Sequence, residues 1–426
     1  MPNEIHNYLH QIDESSFDYV YEENVTIHLK DDRGLVRCNV YRPKAANGEK
    51  FPVLVTYGAY GKDIHYSAYA VVQGDEIGLN QSPSKLDTIS RDTSLAFINV
   101  IEVRLLGISY SADSHWRVAA RQPKGLACIN TWEEISDYYR DRCRHGGILS
   151  NTFVHFGGIV TTNQYGRPGR AARKWGPDTI EGDLTEEEAE GNCRDQTIDN
   201  FTNQFLDDEF YRSKDYEMKD IKVPLLSRNV EGYMNAGSKL KYLRFVTGRH
   251  DLPFYTKACV DMQKSFLENK DTGVWSTGEA PKVEIVLRKG DVGFNNPEDE
   301  KAYLTCFEDE WPMPGTAYTK FYLTAAGGLT KVHPANHEIT NISYQAPEDL
   351  KHQHLIQFTN EAFKKEVGFT GHIIAHLNIS TSSIDSISDT KPSYINLFLT
   401  IRQLNSQDKE ILYTSTVGNP VPVIKE

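Results

Sequence analysis

Ser109 stands where an apolar run, LLGI, gives way to helix-forming residues. A serine on a tight turn between a strand and a helix presents its hydroxyl at the sheet edge, and small neighbours let the backbone pass. Gly107 fits this pattern, and Ser111 stands where the general motif has a second glycine. The spacing therefore predicts a nucleophile at Ser109. The alternative is a serine that caps the helix beginning at Ala112.

A nucleophilic serine needs a base to take its proton. His250 lies just past the apolar segment 240–248, and Pro253 and Phe254 follow it in the sequence. The order serine before histidine is the order found in α/β-hydrolases. We therefore expect His250 to be the base. The alternative is that His250, one of 14 histidines, is an ordinary surface side chain.

An acyl-transfer site also needs hydrogen-bond donors for the oxyanion of the tetrahedral intermediate. One donor is the backbone N–H of the residue after the nucleophile, which is Tyr110. The second comes from the loop after an early buried strand, and that loop, 56–63, contains Tyr60 between small residues. We predict that Tyr60 offers its hydroxyl there. The alternative is that its ring packs at the edge of the sheet.

The acid that orients the histidine is the hardest member to find. It should follow the strand at 221–227, yet the residues after that strand contain no aspartate. Glu231 is the nearest carboxylate, and we take it as the candidate acid. The alternative is that Glu231 belongs to the exposed face of a helix. Asp251 is adjacent to His250 in the chain and is poorly placed to hold its Nδ1–H.

These residues need a framework of buried strands and covering helices. Alternating or continuous apolar patterns predict such strands through the first 250 residues, and helix-forming patterns follow two of them. The predicted strands are 25–31, 34–43, 51–58, 96–107, 124–132, 221–227 and 240–248, and the predicted helices are 111–123 and 252–269. Strands that alternate with helices indicate an α/β fold.

Two further regions have a different composition. The acidic, helix-prone stretch within about 151–220 has little β character and suits a helical cap over a site. A Pro-rich segment, WPMPG, begins at Trp311 and reads as a linker. Period-two segments follow it at 319–326, 371–380, 394–404 and 410–416. These segments predict a second domain at 311–426, a β-sandwich.

Composition limits the class of protein. The formal net charge of −13 argues against a nucleic-acid partner or an anionic membrane surface. The polar N-terminus lacks a secretory signal pattern, and no apolar run is long enough for a membrane span. The six cysteines are scattered, without a CxxC pair or zinc spacing. We therefore expect reduced thiols and a cytoplasmic protein.

The segments VTYGAYGKD, LLGISYSADSHW and VTGRHDLPFY together resemble the CocE/NonD family of cocaine-esterase and X-Pro dipeptidyl-peptidase hydrolases. The resemblance extends from about Phe17 to the C-terminus. The family's elbow is Gly-x-Ser-Tyr-x-Gly/Ala, which Gly107 to Ala112 match. The resemblance implies that Ser109 is the nucleophile, Tyr60 the oxyanion tyrosine and His250 the base.

The resemblance also implies an architecture and a reaction. It implies an α/β-hydrolase domain at 17–310 with a helical cap, followed by a jelly-roll of the galactose-binding-like type at 311–426. No metal or organic cofactor is implied. The expected reaction is cleavage of an ester, an amide or an Xaa-Pro dipeptidyl peptide bond through an acyl-enzyme. The partner is then a small molecule or a peptide, and a homo-oligomer is left open.

Parts of the family pattern are missing from this chain. Only one strong strand, 96–107, lies between Tyr60 and Ser109, so a strand and helix are expected to be absent or fused there. The C-terminal domain also looks truncated. Two readings follow: an active serine hydrolase, or a catalytically inactive remnant or binding protein that uses the β-sandwich.

Overall fold

A computed structural model gives the arrangement of most of the chain. It describes residues 10–30, 34–46, 48–49, 51, 53–58, 62, 72–76, 82, 89–97, 103–150, 198, 200, 209–250, 252–269, 272–293, 296–335, 341–344, 355–382, 395–415 and 418–422. Tyr60 and most of the predicted cap lie outside these residues. Within the predicted cap, 209–220 contains a short helix and a 3₁₀ turn.

The chain forms two compact units. The first contains Met1–Val286, Thr305–Phe307 and Ser415–Asn419, and the second contains Leu287–Leu304, Glu308–Thr414 and Pro420–Glu426. The second unit therefore begins at Leu287, before the boundary that the sequence predicts at 310/311.

The first part of the chain is built on a large sheet. The strands of this sheet are β1 (Gln11–Asp13), β2 (Tyr19–His28), β3 (Leu35–Pro43), β4 (Val53–Gly58), β5 (Val72–Asp75), β6 (Val103–Ile108), β7 (Leu126–Trp132), β10 (Leu225–Ser227), β11 (Lys241–Arg244), β12 (Val283–Leu287) and β13 (Leu304–Glu308). Two further strands, β8 (Arg144–His145) and β9 (Ile148–Leu149), form a separate small hairpin. In the described residues the sheet has 11 strands in the order β1-β2-β3-β5-β4-β6-β7-β10-β11-β12-β13.

The centre of the sheet is parallel. β4, β6, β7, β10, β11 and β12 run in one direction, so their carboxyl ends meet at one edge. β5 pairs in parallel with β4 and antiparallel with β3. A ligand site in an open α/β sheet is expected at this carboxyl edge.

Helices cover both faces of the sheet. The α-helices of the described residues are α1 (Arg91–Phe97), α2 (Tyr110–Ala120), α3 (Glu209–Arg212), α4 (Val230–Asn235), α5 (Lys257–Leu267), α6 (Val274–Thr277) and α7 (Pro297–Glu300, in the second unit), and Tyr138–Cys143 forms a π-helical turn. The two faces are covered by α2 and α5. Side chains alternate across a strand, so Leu105 packs with Trp116 of α2 while Leu106 packs with Phe266 of α5. The helix–sheet–helix layering confirms the predicted α/β class.

The prediction of one long strand at 96–107 is wrong. Its first two residues, Ala96 and Phe97, belong to helix α1, and the described strand is Val103–Ile108. Residues 98–102 lie outside the described residues. Along the chain, β5 and α1 therefore come between strand β4 and the elbow strand β6, in the interval where the sequence suggests a missing strand and helix. The sequence VQGD of β5 carries little β signal because Gln, Gly and Asp are weak strand formers.

In the described residues, the strands of the second unit are short and coincide only in part with the predicted segments. The strands are β14 (Tyr322–Leu323), β15 (Gly328–Thr330), β16 (Thr359–Asn360), β17 (Tyr413–Thr414) and β18 (Pro420–Val421). The predicted strand 371–380 is not in a ladder, and in 394–404 the described residues form only a bridge from Leu404 to Glu410. A period-two pattern sets which side chains share a face, but a strand also needs a neighbour to bond its backbone. Phe398 is accordingly 78% exposed.

Two predictions from composition have structural counterparts. The described cysteines, Cys38, Cys128, Cys143, Cys259 and Cys306, are not in disulfides, while Cys193 lies outside the described residues. None of the helices that the structure describes is both long enough and apolar enough to cross a membrane.

Candidate active site

Ser109 occupies the sharp turn between β6 and α2. Its φ of 57° and ψ of −136° are an unusual conformation for a residue other than glycine. Its N–H donates to the carbonyl of Trp132, and its carbonyl accepts from the N–H groups of Ala112 and Asp113. Its side chain makes no capping hydrogen bond to the helix. Ser109 thus sits at the N-cap position without using its hydroxyl as a cap.

The turn is possible because glycines near the ends of β6 and β4 lie close to α2, where a side chain would not fit. A Cβ on Gly107 would stand 2.8 Å from Cε1 of His115 and 3.1 Å from the backbone nitrogen of Ala112. A Cβ on Gly58, at the end of β4, would stand 2.9 Å from Oγ of Ser111. Gly58 therefore makes room for the serine that replaces the second glycine of the general motif.

Tyr110 is the first residue of α2, and its backbone N–H precedes the helix's internal hydrogen-bond ladder. This is the position that the sequence analysis assigns to an oxyanion donor. The side chain points into the core, where its hydroxyl accepts from the N–H of Ile89 at 3.1 Å. Burial, together with the charge of Glu76, raises the pKa of the Tyr110 phenol well above its ordinary value. Tyr60 lies outside the described residues.

His250 follows β11 in a loop at the carboxyl edge of the sheet. Gly248, with a φ of 119°, turns the chain there, and a Cβ on it would stand 2.9 Å from Cγ of Pro253. The imidazole is 37% exposed, and its Nδ1 lies 3.5 Å from Oε2 of Glu133. A carboxylate at Nδ1 leaves Nε2 to serve as the base, which is the arrangement of a serine triad.

Glu133 comes directly after β7, the strand beside the elbow strand, and has a φ of 50°. Its side chain is 17% exposed. One carboxylate oxygen, Oε2, faces His250, and the other, Oε1, lies 2.6 Å from Nη1 of Arg228. The carboxylate that lies beside the histidine is therefore on the residue that follows β7, and not on a residue that follows β10.

Glu231, the acid that the sequence analysis selected, occupies a different place. It lies on α4 and is exposed, and Nδ2 of Asn235 donates to its Oε2 at 3.5 Å. The position directly after β10 is held by Arg228. The structure thus replaces Glu231 with Glu133 as the carboxylate beside His250. The physical reason is that the sheet places the ends of β7 and β11 on either side of β10.

A buried polar network fixes the loop that carries Glu133. The next residue, Glu134, accepts from Nε1 of Trp116 at 2.9 Å, and its carbonyl accepts from Nδ2 of Asn229 at 3.0 Å. Asp113 of α2 accepts from the N–H of Ile135 at 2.8 Å. Burial raises the pKa of Glu134 to about 8 and that of Asp113 to about 7. Both carboxyl groups therefore hold a proton to higher pH than an exposed carboxyl does.

Sequence reasoning missed Glu133, Arg228 and this network. The available signal was the pair Glu133–Glu134 directly after a predicted strand, in a position where carboxylates at a sheet edge are candidates for a site. Neighbouring residues of an extended chain point to opposite sides, so only one of the two glutamates is expected to face the site. The local sequence does not tell which one.

Two family models match this chain. Residues 32–234 match the model described as X-Pro dipeptidyl-peptidase (S15 family). Residues 277–421 match the X-Pro dipeptidyl-peptidase C-terminal non-catalytic domain. No curated protein matches the chain significantly.

Two solved structures illustrate the shared fold. A CocE/NonD family hydrolase from Staphylococcus aureus is 22% identical over 74% of this chain and 60% of its own, with a TM-score of 0.58. An α-amino acid ester hydrolase is 16% identical over 77% of this chain and 65% of its own, with a TM-score of 0.51. The chain therefore spans 60% to 65% of the length of these structures. The two family models together confirm the predicted resemblance: the chain belongs to the X-Pro dipeptidyl-peptidase (S15) family.

Proposed function

We propose that this chain is a serine hydrolase that cleaves an ester, an amide or an Xaa-Pro dipeptidyl peptide bond through an acyl-enzyme on Ser109. The observation that carries the proposal is the pairing of His250 with Glu133 at the sheet edge where Ser109 occupies its strained turn. A strained serine and a carboxylate-oriented histidine at one sheet edge are the parts that acyl transfer requires.

In the proposed reaction, Oγ of Ser109 attacks the carbonyl carbon while Nε2 of His250 takes the hydroxyl proton. The carbonyl oxygen becomes an oxyanion that the N–H of Tyr110 and the hydroxyl of Tyr60 stabilise. The bond to the leaving group then breaks, and His250 gives its proton to the departing oxygen or nitrogen. Water, deprotonated by His250, then attacks the acyl carbon; the bond to Oγ of Ser109 breaks, His250 returns the proton to Oγ, and the acid is released. Glu133 keeps the imidazole oriented and balances its charge when it is protonated.

A fluorophosphonate probe tests the nucleophile directly. We expect the folded chain to be labelled, and we expect Ser109→Ala and the heat-unfolded chain to remain unlabelled. Labelling that survives in Ser109→Ala would place the nucleophile elsewhere. A folded, soluble chain that takes up no probe would favour the other reading, a catalytically inactive member of the family that binds through its C-terminal domain.

Substrate class is tested next with two chromogenic probes. p-Nitrophenyl acetate reports ester cleavage, and alanyl-proline p-nitroanilide reports removal of a dipeptide that ends in proline. The proposal requires turnover of at least one probe that disappears in Ser109→Ala. The ratio of kcat/KM for the two probes then separates an esterase from a dipeptidyl-peptidase.

A further inference from the structure

Arg228 is a buried cation at the carboxyl edge of the sheet. It follows β10 directly, and its side chain is 5% exposed. Its Nη1 lies 2.6 Å from Oε1 of Glu133, and its Nη2 donates to the carbonyl of Val246. Its backbone N–H donates to the carbonyl of Thr131 at 3.3 Å. Its guanidinium carbon lies 5.4 Å from the centroid of the Trp132 ring.

These contacts connect three neighbouring strands. β7 ends at Trp132 and continues into Glu133, whereas β11 continues through Val246 toward His250. Arg228, directly after the intervening strand β10, contacts both continuations with one planar side chain. Nη1 is ion-paired with the residue that carries the carboxylate, and Nη2 donates to the segment that leads to the histidine.

Each oxygen of the Glu133 carboxylate faces a different partner. Oε1 of Glu133 faces Arg228 and Oε2 faces His250. A carboxylate that is mostly removed from water needs a compensating charge, and arginine keeps its charge at any working pH. With Oε1 anchored, rotation of the carboxylate is restricted, and Oε2 stays directed at Nδ1 of the histidine.

We propose that Arg228 is a positioning residue of the active site, which holds Glu133 in place for His250. This inference rests on the proposed function, since it assigns Arg228 a role in that same site. Its observed contacts are with Glu133 and Val246, so its effect is expected to reach the reaction through these residues.

Arg244 offers a matched control. It is also a buried arginine, 3% exposed, with a carboxylate partner, since its Nε lies 3.3 Å from Oε2 of Glu284. It also stacks on a tryptophan, with its guanidinium carbon 5.2 Å from the centroid of the Trp275 ring. Arg244→Gln therefore removes a comparable buried ion pair without touching Glu133 or Val246.

The first measurement is hydrolysis of p-nitrophenyl acetate as a function of pH. We expect Arg228→Gln to lower kcat about 10- to 100-fold with little change in KM, because orientation of the base is lost. The acidic limb of its profile should move to higher pH, since the uncompensated Glu133 carboxylate then favours the protonated imidazole. Arg228→Lys should keep the position of the limb but recover only part of kcat, because an ammonium supplies the charge without the two-armed bridge.

The second measurement does not depend on turnover. The His250 ring signal is titrated by NMR in the Ser109→Ala background, with His250→Gln as the assignment control. Adding Arg228→Gln should move the midpoint upward by about half a unit or more, whereas Arg244→Gln should leave it in place. An unmoved midpoint in Arg228→Gln overturns the proposal, as does a loss of kcat equal to that in Arg244→Gln. Failure of the proposed function would instead appear as absent Ser109-dependent labelling. The titration does not require turnover, so it tests the role of Arg228 separately.

Discussion

The backbone N–H of Ser109 donates to the carbonyl of Trp132 at 2.8 Å, so the serine of the elbow is bonded to the residue that precedes Glu133. Ser109 and Glu133 both have positive φ values, 57° and 50°. Two adjacent parallel strands, β6 and β7, therefore end in sharp turns that are tied together. One turn presents the serine, and the other presents the carboxylate that faces His250.

This relationship predicts which glutamate matters. Glu133→Gln preserves size but removes the charge and can stabilise the wrong histidine tautomer, so we expect kcat to fall about 10²- to 10⁴-fold. Glu231→Gln is the matched control, and its kcat should stay within about twofold of the wild type, because Glu231 is exposed on α4. Initial rates of p-nitrophenyl ester hydrolysis measure both. A large loss in Glu231→Gln with an active Glu133→Gln would restore the assignment made from sequence.

The positions of Ser109 and His250 at strand ends follow from the sequence alone. Gly107 lies within the apolar segment that becomes β6, Ser109 follows that strand, and His250 follows the segment that becomes β11. Glu133 could not be selected in the same way. Its partners Arg228 and His250 are far along the chain, and only the strand order brings the ends of β7, β10 and β11 together.

Two other features were unpredictable for physical reasons. β5 is a short, polar strand held by neighbours on both sides, and such a strand depends on its tertiary pairing more than on its own residues. In the second unit the alternating pattern at 371–380 was recognised, but pairing partners are not encoded in a period-two pattern. Ile374 in this segment is 62% exposed.

The close approach at the elbow predicts a steric effect of Gly107→Ala. The added methyl would stand 2.8 Å from Cε1 of His115 and 3.1 Å from the nitrogen of Ala112, so either the imidazole or the first turn of α2 must move. We expect a loss of about 1–3 kcal/mol in the free energy of unfolding, together with loss of fluorophosphonate labelling. Gly368→Ala is the control, because nothing lies within 4 Å of its added Cβ. Equal Tm values for the two variants would contradict the packing argument.

The contact between α4 and α2 predicts coupling between Gly232 and Trp116. A Cβ on Gly232 would stand 2.6 Å from Cζ2 of the indole, which donates through Nε1 to Glu134. Gly232→Ala should therefore lower the unfolding free energy by about 1–3 kcal/mol. Trp116→Phe removes the atoms that clash, so the double variant should be more stable than the sum of the two single losses. Chemical unfolding of the four proteins measures this, and strict additivity would argue against direct contact.

The buried carboxyl of Asp113 predicts a pH-dependent stability. Burial raises its pKa from 3.8 to about 7, against the lowering effects of the Ile135 N–H and of Arg142 and Arg117. Because the folded-state pKa lies above the unfolded value, the native state binds more protons between about pH 4 and pH 7. The unfolding free energy must then fall as pH rises through that window.

Asp113→Asn isolates this effect, since an amide oxygen can still accept from the N–H of Ile135 without titrating. Below about pH 4 the two proteins should differ little in their pH dependence. As pH rises to about 7, the wild type should lose stability relative to Asp113→Asn by on the order of a few kcal/mol, and the difference should then level off. Glu134 titrates in both proteins, and the Asp113 charge is one cause of its raised pKa, so the difference reports Asp113 together with its coupling to Glu134. Thermal unfolding at pH 4, 5.5, 7 and 8.5 measures the difference, and parallel Tm curves would mean that Asp113 is already ionised in the folded protein at low pH.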